Sequence, residues 1–218
     1  MKFVMSYSCG KDSTLALHKL LAAGHEAAGL LVMQNGESRR SYFHGADEAL
    51  LEAYGRALGL ALVVCPAGGA DYNRQFEAGL MRAKAMGAEA CGFGDIDIAE
   101  HRKWGEERCR AAGLAAEFPL WQARREENVR ELLSLGYKCL IKNVDCGILP
   151  RELLGRVLDR EAVEIIRRAG ADPCGENGEY HTLVVDGPIF RQEIAVQVGA
   201  AVREEPEFNR AYVEISLK

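Results

Sequence analysis

The chain has 218 residues, of which 48% are hydrophobic and 27% charged, and its formal net charge is −5, from 27 Lys and Arg against 32 Asp and Glu. This length can bury a core in one domain or two small ones. The acidic balance argues against a nucleic-acid partner held by its phosphate backbone, and no apolar run reaches the ~20 residues of a membrane span. Seven dispersed cysteines without a Cys-x-x-Cys pair predict reduced thiols and, with no secretory signal in sight, a cytoplasmic protein.

Short apolar strands alternate with longer helical patterns through the first half of the chain. Strands are predicted at 2–6, 27–33, 60–65, 88–93 and 115–118, and helices at 13–23, 46–58, 72–86 and 98–112. This alternation is typical of βαβ units, so we predict an α/β fold with a doubly wound parallel five-stranded sheet. The expected strand order is 3-2-1-4-5, as in HUP and other Rossmann-like domains.

The rhythm changes near residue 122, where we place a domain boundary between 1–122 and 123–218. Helices are predicted at 124–135 and 160–168, and strands at 137–144, 180–185, 189–198 and 211–216. Strands that follow one another without helices indicate antiparallel pairing. We therefore predict a smaller C-terminal α+β domain that binds substrate.

The segment Ser8–Ser13, between the first strand and the first helix, reads Ser-Cys-Gly-Lys-Asp-Ser and predicts a phosphate-binding loop. It is not a Walker A loop, which needs a different glycine spacing. Gly10 allows close backbone approach, the helix start supplies free N–H groups, and Lys11 can neutralise phosphate charge. Asp12 beside a phosphate indicates a bridging Mg²⁺ held by this carboxylate. The alternative is a surface turn in which Asp12 only caps the helix.

A second loop follows the fourth strand with Gly94 and Asp95. Ligands of doubly wound sheets bind beyond the carboxyl ends of the strands, where strands 1 and 4 are neighbours, so we expect this loop to face the same ligand as Ser8–Ser13. Asp97 is predicted equally well as a functional residue or as a helix cap. His44 either contacts the ligand or caps the second helix.

A third informative stretch is Cys174–Phe190, which reads CGENGEYHTLVVDGPIF. Glu176 and Glu179 lie on a glycine-rich turn, where paired acids can hold Mg²⁺ or bind an amine, and His181 can move a proton near neutral pH. The alternative is an Asn-Gly turn with solvated glutamates.

The loop Ser8–Ser13 resembles the S-G-G-x-D-S signature of PP-loop ATP pyrophosphatases. Together with GFGDID, FPLW, LLGRVLDREAVEII and CGENGEYHT, spread in order over nearly all 218 residues, it resembles the diphthine–ammonia ligase family. Cys9 stands where the signature has glycine, which requires either an ordinary backbone angle or a tolerated Cβ. Asn177 and His181 depart from that family's glutamate-rich motif, where glycine and glutamate are usual.

The resemblance implies an AMP-forming amide ligase that adenylates a carboxylate, releases pyrophosphate and transfers ammonia. The carboxylate would be protein-borne diphthine or a small molecule, and a homodimer is allowed for. The residues expected to bind ATP are Ser8, Cys9, Gly10, Lys11, Asp12, Ser13, His44, Gly94 and Asp95. The residues expected to be catalytic are Lys11, Asp12, Glu176, Glu179 and His181, with Asp12 holding Mg²⁺.

Two rival functions remain open at this point. A tRNA sulfurtransferase on the same fold would need a catalytic cysteine pair, for which Cys146 and Cys174 are the candidates. A non-catalytic sensor would bind ATP through the loop Ser8–Ser13 without catalysing a reaction.

Overall fold

A computed structural model describes residues 1–218 and contains two sheets. The first is parallel throughout, and its five strands are β1 (Lys2–Ser6), β2 (Glu26–Asn35), β3 (Leu62–Ala67), β4 (Ala90–Gly92) and β5 (Ala115–Glu117). Their order is β3-β2-β1-β4-β5, and β1 pairs with both β2 and β4. The predicted doubly wound parallel sheet is therefore confirmed. Its order brings the carboxyl ends of β1 and β4 side by side.

Four helices connect these strands: α1 (Lys11–Ala22), α2 (Glu48–Leu58), α3 (Tyr72–Ala85) and α4 (Ala99–Ala112). Helix α1 begins two residues earlier than predicted, directly after Gly10. Helix α2 begins later than predicted because the Asp47 carboxylate accepts a hydrogen bond from Leu50 N at 2.9 Å and caps it. His44 is therefore not the cap of this helix. Gly59 and Gly113 end α2 and α4 in the left-handed conformation, as expected for helix-stop glycines.

The second sheet is antiparallel, in the order β7-β6-β9-β8. Its elements are α5 (Arg125–Ser134), β6 (Lys138–Asp145), α6 (Arg160–Arg168), β7 (Tyr180–Asp186), β8 (Val196–Glu205) and β9 (Arg210–Leu217). A separate α+β unit was predicted, and it is confirmed. The position of the domain boundary near residue 122 stays a prediction.

The strand predicted at 189–198 was wrong in position, since β8 spans Val196–Glu205. Gly187 and Pro188 begin a turn, in which Phe190 N donates to Gly187 O at 2.9 Å. β8 is an edge strand that pairs only with β9, and nearly all of its residues are exposed. It therefore lacks the alternation of apolar and polar residues from which a half-buried strand is predicted.

One apolar core is continuous through both sheets. It includes Phe3 and Leu17 of the first half and Leu140, Tyr180 and Ile215 of the second, all buried. A smaller cluster packs under α3 and α4 on the other face of the first sheet. All seven cysteines are free, and none of the helices combines the length and apolarity needed to cross a membrane.

Candidate functional site

The loop that joins β1 to α1 keeps a glycine-like backbone at a residue that is not glycine. Cys9 has a φ of 69°, in the left-handed region, and its side chain is fully buried. The Cβ is thus tolerated and the backbone angle is not ordinary, which resolves the two alternatives raised by the sequence. Burial raises the pKa of the Cys9 thiol well above its usual value, so this thiol is not a nucleophile near neutral pH.

Two backbone amides at the start of α1 remain open. Gly10 N donates to Ser8 Oγ at 3.3 Å and Lys11 N to Thr182 Oγ1 at 3.2 Å, whereas the amides of Asp12 and Ser13 have no acceptor within the protein. Free amides at a helix N-terminus are suited to an anion. The loop also offers hydroxyl groups, since the Ser8 and Ser13 Oγ atoms lie 3.1 Å apart.

Gly94, two residues after β4, packs directly against this loop because it has no side chain. A Cβ at Gly94 would lie 2.7 Å from Ser13 N and 2.9 Å from the carbonyl carbon of Asp12, closer than real Cβ atoms approach. The two loops predicted from the sequence to meet therefore do meet. The absence of a side chain at Gly94 lets the two loops approach this closely, and the free amides and hydroxyls beside it form a cradle.

Lys11 does not face this cradle. Its ammonium is 2.6 Å from Asp12 Oδ2, lies over the Tyr180 ring at 5.2 Å from the ring centroid, and belongs to a residue that is only 5% exposed. Burial opposes its charge, but Asp12, with Cys174 and Tyr180 nearby, keeps the Lys11 pKa above the ordinary value. The ammonium holds the Asp12 carboxylate and does not line the cleft, and the predicted contact between Lys11 and phosphate stays a prediction.

The cradle is one end of a cleft of about 260 Å³ between the two halves of the chain. No lysine or arginine is among its lining residues, which are Ser6, Ser8, Asp12, Ser13, Phe43, His44, Phe93, Gly94, Asp95, His101, Gly175, Glu176, Gly178 and His181. The structure thus brings together predicted site residues from four segments of the chain. An anion in this cleft would rely on amides, hydroxyls and an accompanying cation.

Three carboxylates converge on the cleft. Burial, followed by the charges of Asp12 and Asp95, raises the pKa of Glu176 to about 7, and Lys11 only partly offsets this. No group of three or more His, Cys, Asp or Glu side chains is arranged to hold a metal ion by itself. The acidic surroundings of Glu176 nevertheless favour a cation that arrives with its own anionic ligand, as Mg²⁺ does with nucleotide phosphates.

His101 lines the cleft and was not predicted from the sequence. Its Nδ1 lies 3.3 Å from Asp95 Oδ1, and this hydrogen bond raises the His101 pKa while burial opposes the shift. The residue lies in the first turn of α4, six positions after Asp95. A histidine in the first turn of a helix that follows a candidate ligand loop is the signal that could have identified it.

His44 and His181 form the wall opposite this histidine. His44 Nδ1 donates to the carbonyl oxygen of Thr182 at 2.6 Å, and the two imidazole rings stack. Burial lowers the pKa of His44 to about 4, and burial together with His44 and Arg210 lowers that of His181 to about 3. Both rings are therefore neutral at pH 7. Nδ1 of His181 is buried without a partner, which leaves it able to accept or donate one hydrogen bond.

Glu179 lies outside the cleft, although the sequence grouped it with Glu176. It is 6% exposed, and its Oε1 accepts from Asp172 N at 3.2 Å and from Asn177 Nδ2 at 3.1 Å. These bonds hold the glycine-rich turn in shape. The predicted catalytic role of Glu179 has no geometric support, because a buried side chain pointing into its own turn cannot reach the cleft.

Asp97 is neither a cleft residue nor a helix cap. Its two oxygens each accept a 2.7 Å hydrogen bond from Arg125, which also binds Asp172 Oδ2 at 2.8 Å and Asn177 Oδ1 at 3.0 Å. Arg125 thus ties the loop after β4 to the glycine-rich turn. Asn177, which departs from the family's usual glycine, supplies one of these contacts.

The candidate cysteine pair of a sulfurtransferase is not assembled. Cys174 is buried and its thiol donates to Asp12 Oδ1 at 3.5 Å, while burial raises its pKa. Cys146 directly follows β6, and its backbone amide donates to Asn209 O at 2.7 Å. Both thiols are free and that of Cys174 is paired with Asp12, which removes the main structural argument for that rival.

Comparisons with known proteins agree over the whole chain. The family models "Diphthamide synthase N-terminal domain" and "Diphthamide synthase C-terminal domain" match residues 1–116 and 124–217. The chain is 27% identical to a Homo sapiens protein named diphthine–ammonia ligase, covering 93% of this chain and 85% of that protein. It is 25% identical to the Schizosaccharomyces pombe protein of that name, covering 100% and 42%. A solved Methanocaldococcus jannaschii chain, titled predicted subunit of tRNA methyltransferase, aligns at 17% identity and a TM-score of 0.46, covering 89% of this chain and 100% of that one.

Proposed function

The chain belongs to the diphthamide synthase family, and from that premise we propose that it is a cytoplasmic ligase that uses ATP and ammonia to convert a carboxylate into an amide. The first step would join a substrate carboxylate oxygen to the α-phosphorus of ATP and break the bond to the β-phosphate, releasing pyrophosphate. In the second step ammonia would displace AMP from the acyl adenylate and lose one proton.

The observation that carries this proposal is the cradle between two loops. The free amides of Asp12 and Ser13 lie where Gly94 packs against the loop, beside the hydroxyls of Ser8 and Ser13. Such a cradle suits the phosphates of a nucleotide. Because Asp12, Asp95 and Glu176 surround it, a bare polyphosphate would be repelled, so the site fits ATP only together with a cation.

Mg²⁺ would be held by Asp12 and by phosphate oxygens, and would offset the charge of the leaving pyrophosphate. Lys11 would orient the Asp12 carboxylate through its 2.6 Å contact. We propose this indirect role for Lys11 in place of direct phosphate binding.

The nucleoside would enter a small apolar recess next to the cleft. This recess of about 70 Å³ is lined by Leu31, Met33, Tyr42, Phe43 and Tyr72, among others. Its walls are at the carboxyl ends of β1 and β2, where open α/β sheets bind ligands. Apolar and aromatic side chains of this kind suit the faces of a purine base.

Glu176 would accept the proton that ammonia loses. Its pKa of about 7 lets it exchange a proton near neutral pH, which is the property required of a general base. No residue arrangement in the cleft resembles a glutaminase site, and we propose free ammonia as the nitrogen donor.

The acceptor named in the relatives' title is diphthine, and we propose a diphthine-bearing elongation factor as the first substrate to test. The departures at Asn177 and His181 make a small-molecule carboxylate the second candidate. His181 places a neutral ring where the family motif has a glutamate, so the charge presented to the acceptor differs from that of the relatives.

The test incubates the protein with Mg-ATP, ammonium and either diphthine-bearing elongation factor or a small-molecule cell fraction. AMP and pyrophosphate are quantified against ADP and phosphate, with Asp12→Asn as the inactive variant and exposed Glu100→Gln on α4 as the matched control. Acceptor-dependent AMP that is lost in Asp12→Asn and kept in Glu100→Gln supports the ligase. If the protein binds ATP but forms no AMP with either acceptor, the ligase proposal gives way to the nucleotide sensor.

A further inference from the structure

A second cavity adjoins the nucleotide cleft and is not used by the steps described above. Its volume is about 430 Å³, and it lies between the loop that joins β2 to α2 and the face of the second sheet formed by β6 and β9. We call it the side cavity. Phe43, His44 and His181 line both spaces, so the stacked histidines stand between the side cavity and the cleft.

Lys142 on β6 is a buried cation in the wall of the side cavity. The residue is 6% exposed, and its ammonium donates to the carbonyl oxygen of Gly45 at 2.9 Å. No carboxylate lies within ion-pair distance of it. A buried ammonium with two unused donors and no counter-ion is costly unless an anion reaches it.

The other charges that face Lys142 do not neutralise it. Arg40 pairs with Glu214 at 3.0 Å, and Arg203 lies 3.9 Å from the same carboxylate, so Glu214 already serves two guanidinium groups. Burial lowers the pKa of Lys142 to about 8; Glu214, Asp47 and Cys9 counteract this, while Arg40 adds to it. The histidines between cavity and cleft are neutral at pH 7 and contribute no countercharge.

We propose that the side cavity binds the carboxylate-bearing end of the acceptor, with the Lys142 ammonium as its counter-ion. This inference rests on the proposed ligase function and adds the binding site of the acceptor. The cleft, with Asp12, Asp95 and Glu176, repels a carboxylate. The side cavity is lined by three cations against two carboxylates and so has a net positive charge (Arg40, Lys142 and Arg203 against Glu205 and Glu214). A carboxylate held there adjoins the neutral rings of His44 and His181, which together with Phe43 separate the side cavity from the cleft.

The unused ring nitrogen of His181 strengthens this assignment. Nδ1 is buried and has no hydrogen-bond partner, although His181 lines both spaces. A neutral imidazole can donate one hydrogen bond to a carboxylate oxygen without adding charge. The acceptor would thus be bound by one ionic contact and one neutral contact.

The experiment measures how fast acetic anhydride acetylates Lys142 at pH 8, by peptide mass spectrometry. The probes are acetate, succinate and glycine betaine, with acetamide as a neutral control, and no ATP is added. Lys138, an exposed lysine on the same strand that pairs with Glu193 at 2.5 Å, is the internal reference. We expect carboxylates, and not acetamide, to slow acetylation of Lys142 several-fold while the rate at Lys138 stays constant. Further arms with intact elongation factor and with the small-molecule fraction distinguish a protein-borne from a free carboxylate.

Equal acetylation rates with and without every carboxylate would overturn the inference, as would a Lys142 that the reagent never reaches. These outcomes are independent of turnover. If AMP forms with the acceptor but carboxylates do not slow acetylation of Lys142, the side-cavity proposal is refuted and the ligase proposal is kept. If carboxylates slow acetylation but no AMP forms, the ligase proposal is refuted and carboxylate binding in the side cavity is kept.

The second measurement separates binding from folding. Lys142→Met removes the charge at similar volume, and Lys138→Met is the matched control. In the ligase assay we expect Lys142→Met to raise the KM for the acceptor about 10- to 100-fold and to leave the KM for ATP unchanged. Lys142→Arg should recover part of the loss. Equal acceptor KM values for Lys142→Met and Lys138→Met would contradict the proposal.

Discussion

The imidazole rings of His44 and His181 stack with their centroids 5.0 Å apart and their planes inclined by 11°, although 137 positions separate the two residues in the chain. One ring comes from the loop after the parallel sheet's second strand and the other from the antiparallel sheet. Two stacked imidazoles cannot both be protonated without repulsion, and burial already disfavours the charge on each. The contact therefore requires neutral rings.

His181→Gln should make stability less sensitive to acid. The folded-state pKa of about 3 lies below the ordinary 6.5, so the unfolded chain binds the extra proton as the pH falls below 6.5. Wild-type protein should then lose up to about 1.4 kcal/mol of stability per pH unit from this group between roughly pH 6 and 4, and His181→Gln should not. Urea denaturation at pH 7.5, 6 and 5 measures this. His25→Gln, remote from the cleft, is the control; equal pH slopes for wild type and His181→Gln would contradict the expectation.

Glu176→Gln should stabilise the protein at high pH. The raised pKa of about 7 means that the folded state favours the protonated carboxyl. Ionisation of Glu176 therefore lowers the free energy of unfolding, starting above pH 4.5 and reaching its full effect above pH 7. Calorimetry should show a higher Tm for Glu176→Gln than for wild type at pH 8 and no difference at pH 4.5. Exposed Glu100→Gln tests for a general charge effect. A Tm gain that is the same at both pH values would rule out this explanation.

Cys9 should reverse the usual ranking of alanine and glycine. At a φ of 69° a Cβ is strained by about 1–2 kcal/mol, whereas glycine costs about 0.4–1 kcal/mol through the entropy of the unfolded chain. Cys9→Gly should therefore be more stable than Cys9→Ala by roughly 0.5–1 kcal/mol. The same pair of substitutions at Cys139, buried in β6, should show the opposite order in urea denaturation. Finding alanine better at both positions would show that Cys9 is unstrained.

Arg125 should couple more strongly to Asp172 than to Asp97. The Asp172 side chain is 9% exposed and that of Asp97 is 38% exposed, so the former pair is less screened by water. Double-mutant cycles with Arg125→Gln should give a coupling of about 1–2 kcal/mol with Asp172→Asn and below about 1 kcal/mol with Asp97→Asn. Equal couplings would mean that the two bonds to Asp97 outweigh the burial of Asp172.

The sequence was most informative where backbone and chain order decide the structure. Alternating strands and helices predicted the parallel sheet and its order, and that order predicted that Gly94 would meet the loop Ser8–Ser13. These predictions hold because glycine requirements and strand neighbours are local or topological properties.

Side-chain environments that depend on distant residues were not readable. The sequence predicts a phosphate contact for Lys11 and cannot show its burial, because that burial depends on Tyr180, 169 positions away. The sequence predicts Lys142 only as part of a strand, since the loop that buries it lies in the other half of the chain. Glu176 and Glu179 are three positions apart, yet one faces the cleft and the other its own turn.

Two hydrogen bonds join the loop Ser8–Ser13 to the antiparallel sheet: Val184 N donates to Cys9 O at 3.0 Å, and Lys11 N donates to Thr182 Oγ1. The loop is thus supported by both sheets. Excising residues 1–122 would remove both hydrogen bonds and expose the shared core. Any graft of this loop into another α/β protein must accordingly carry β7 with it.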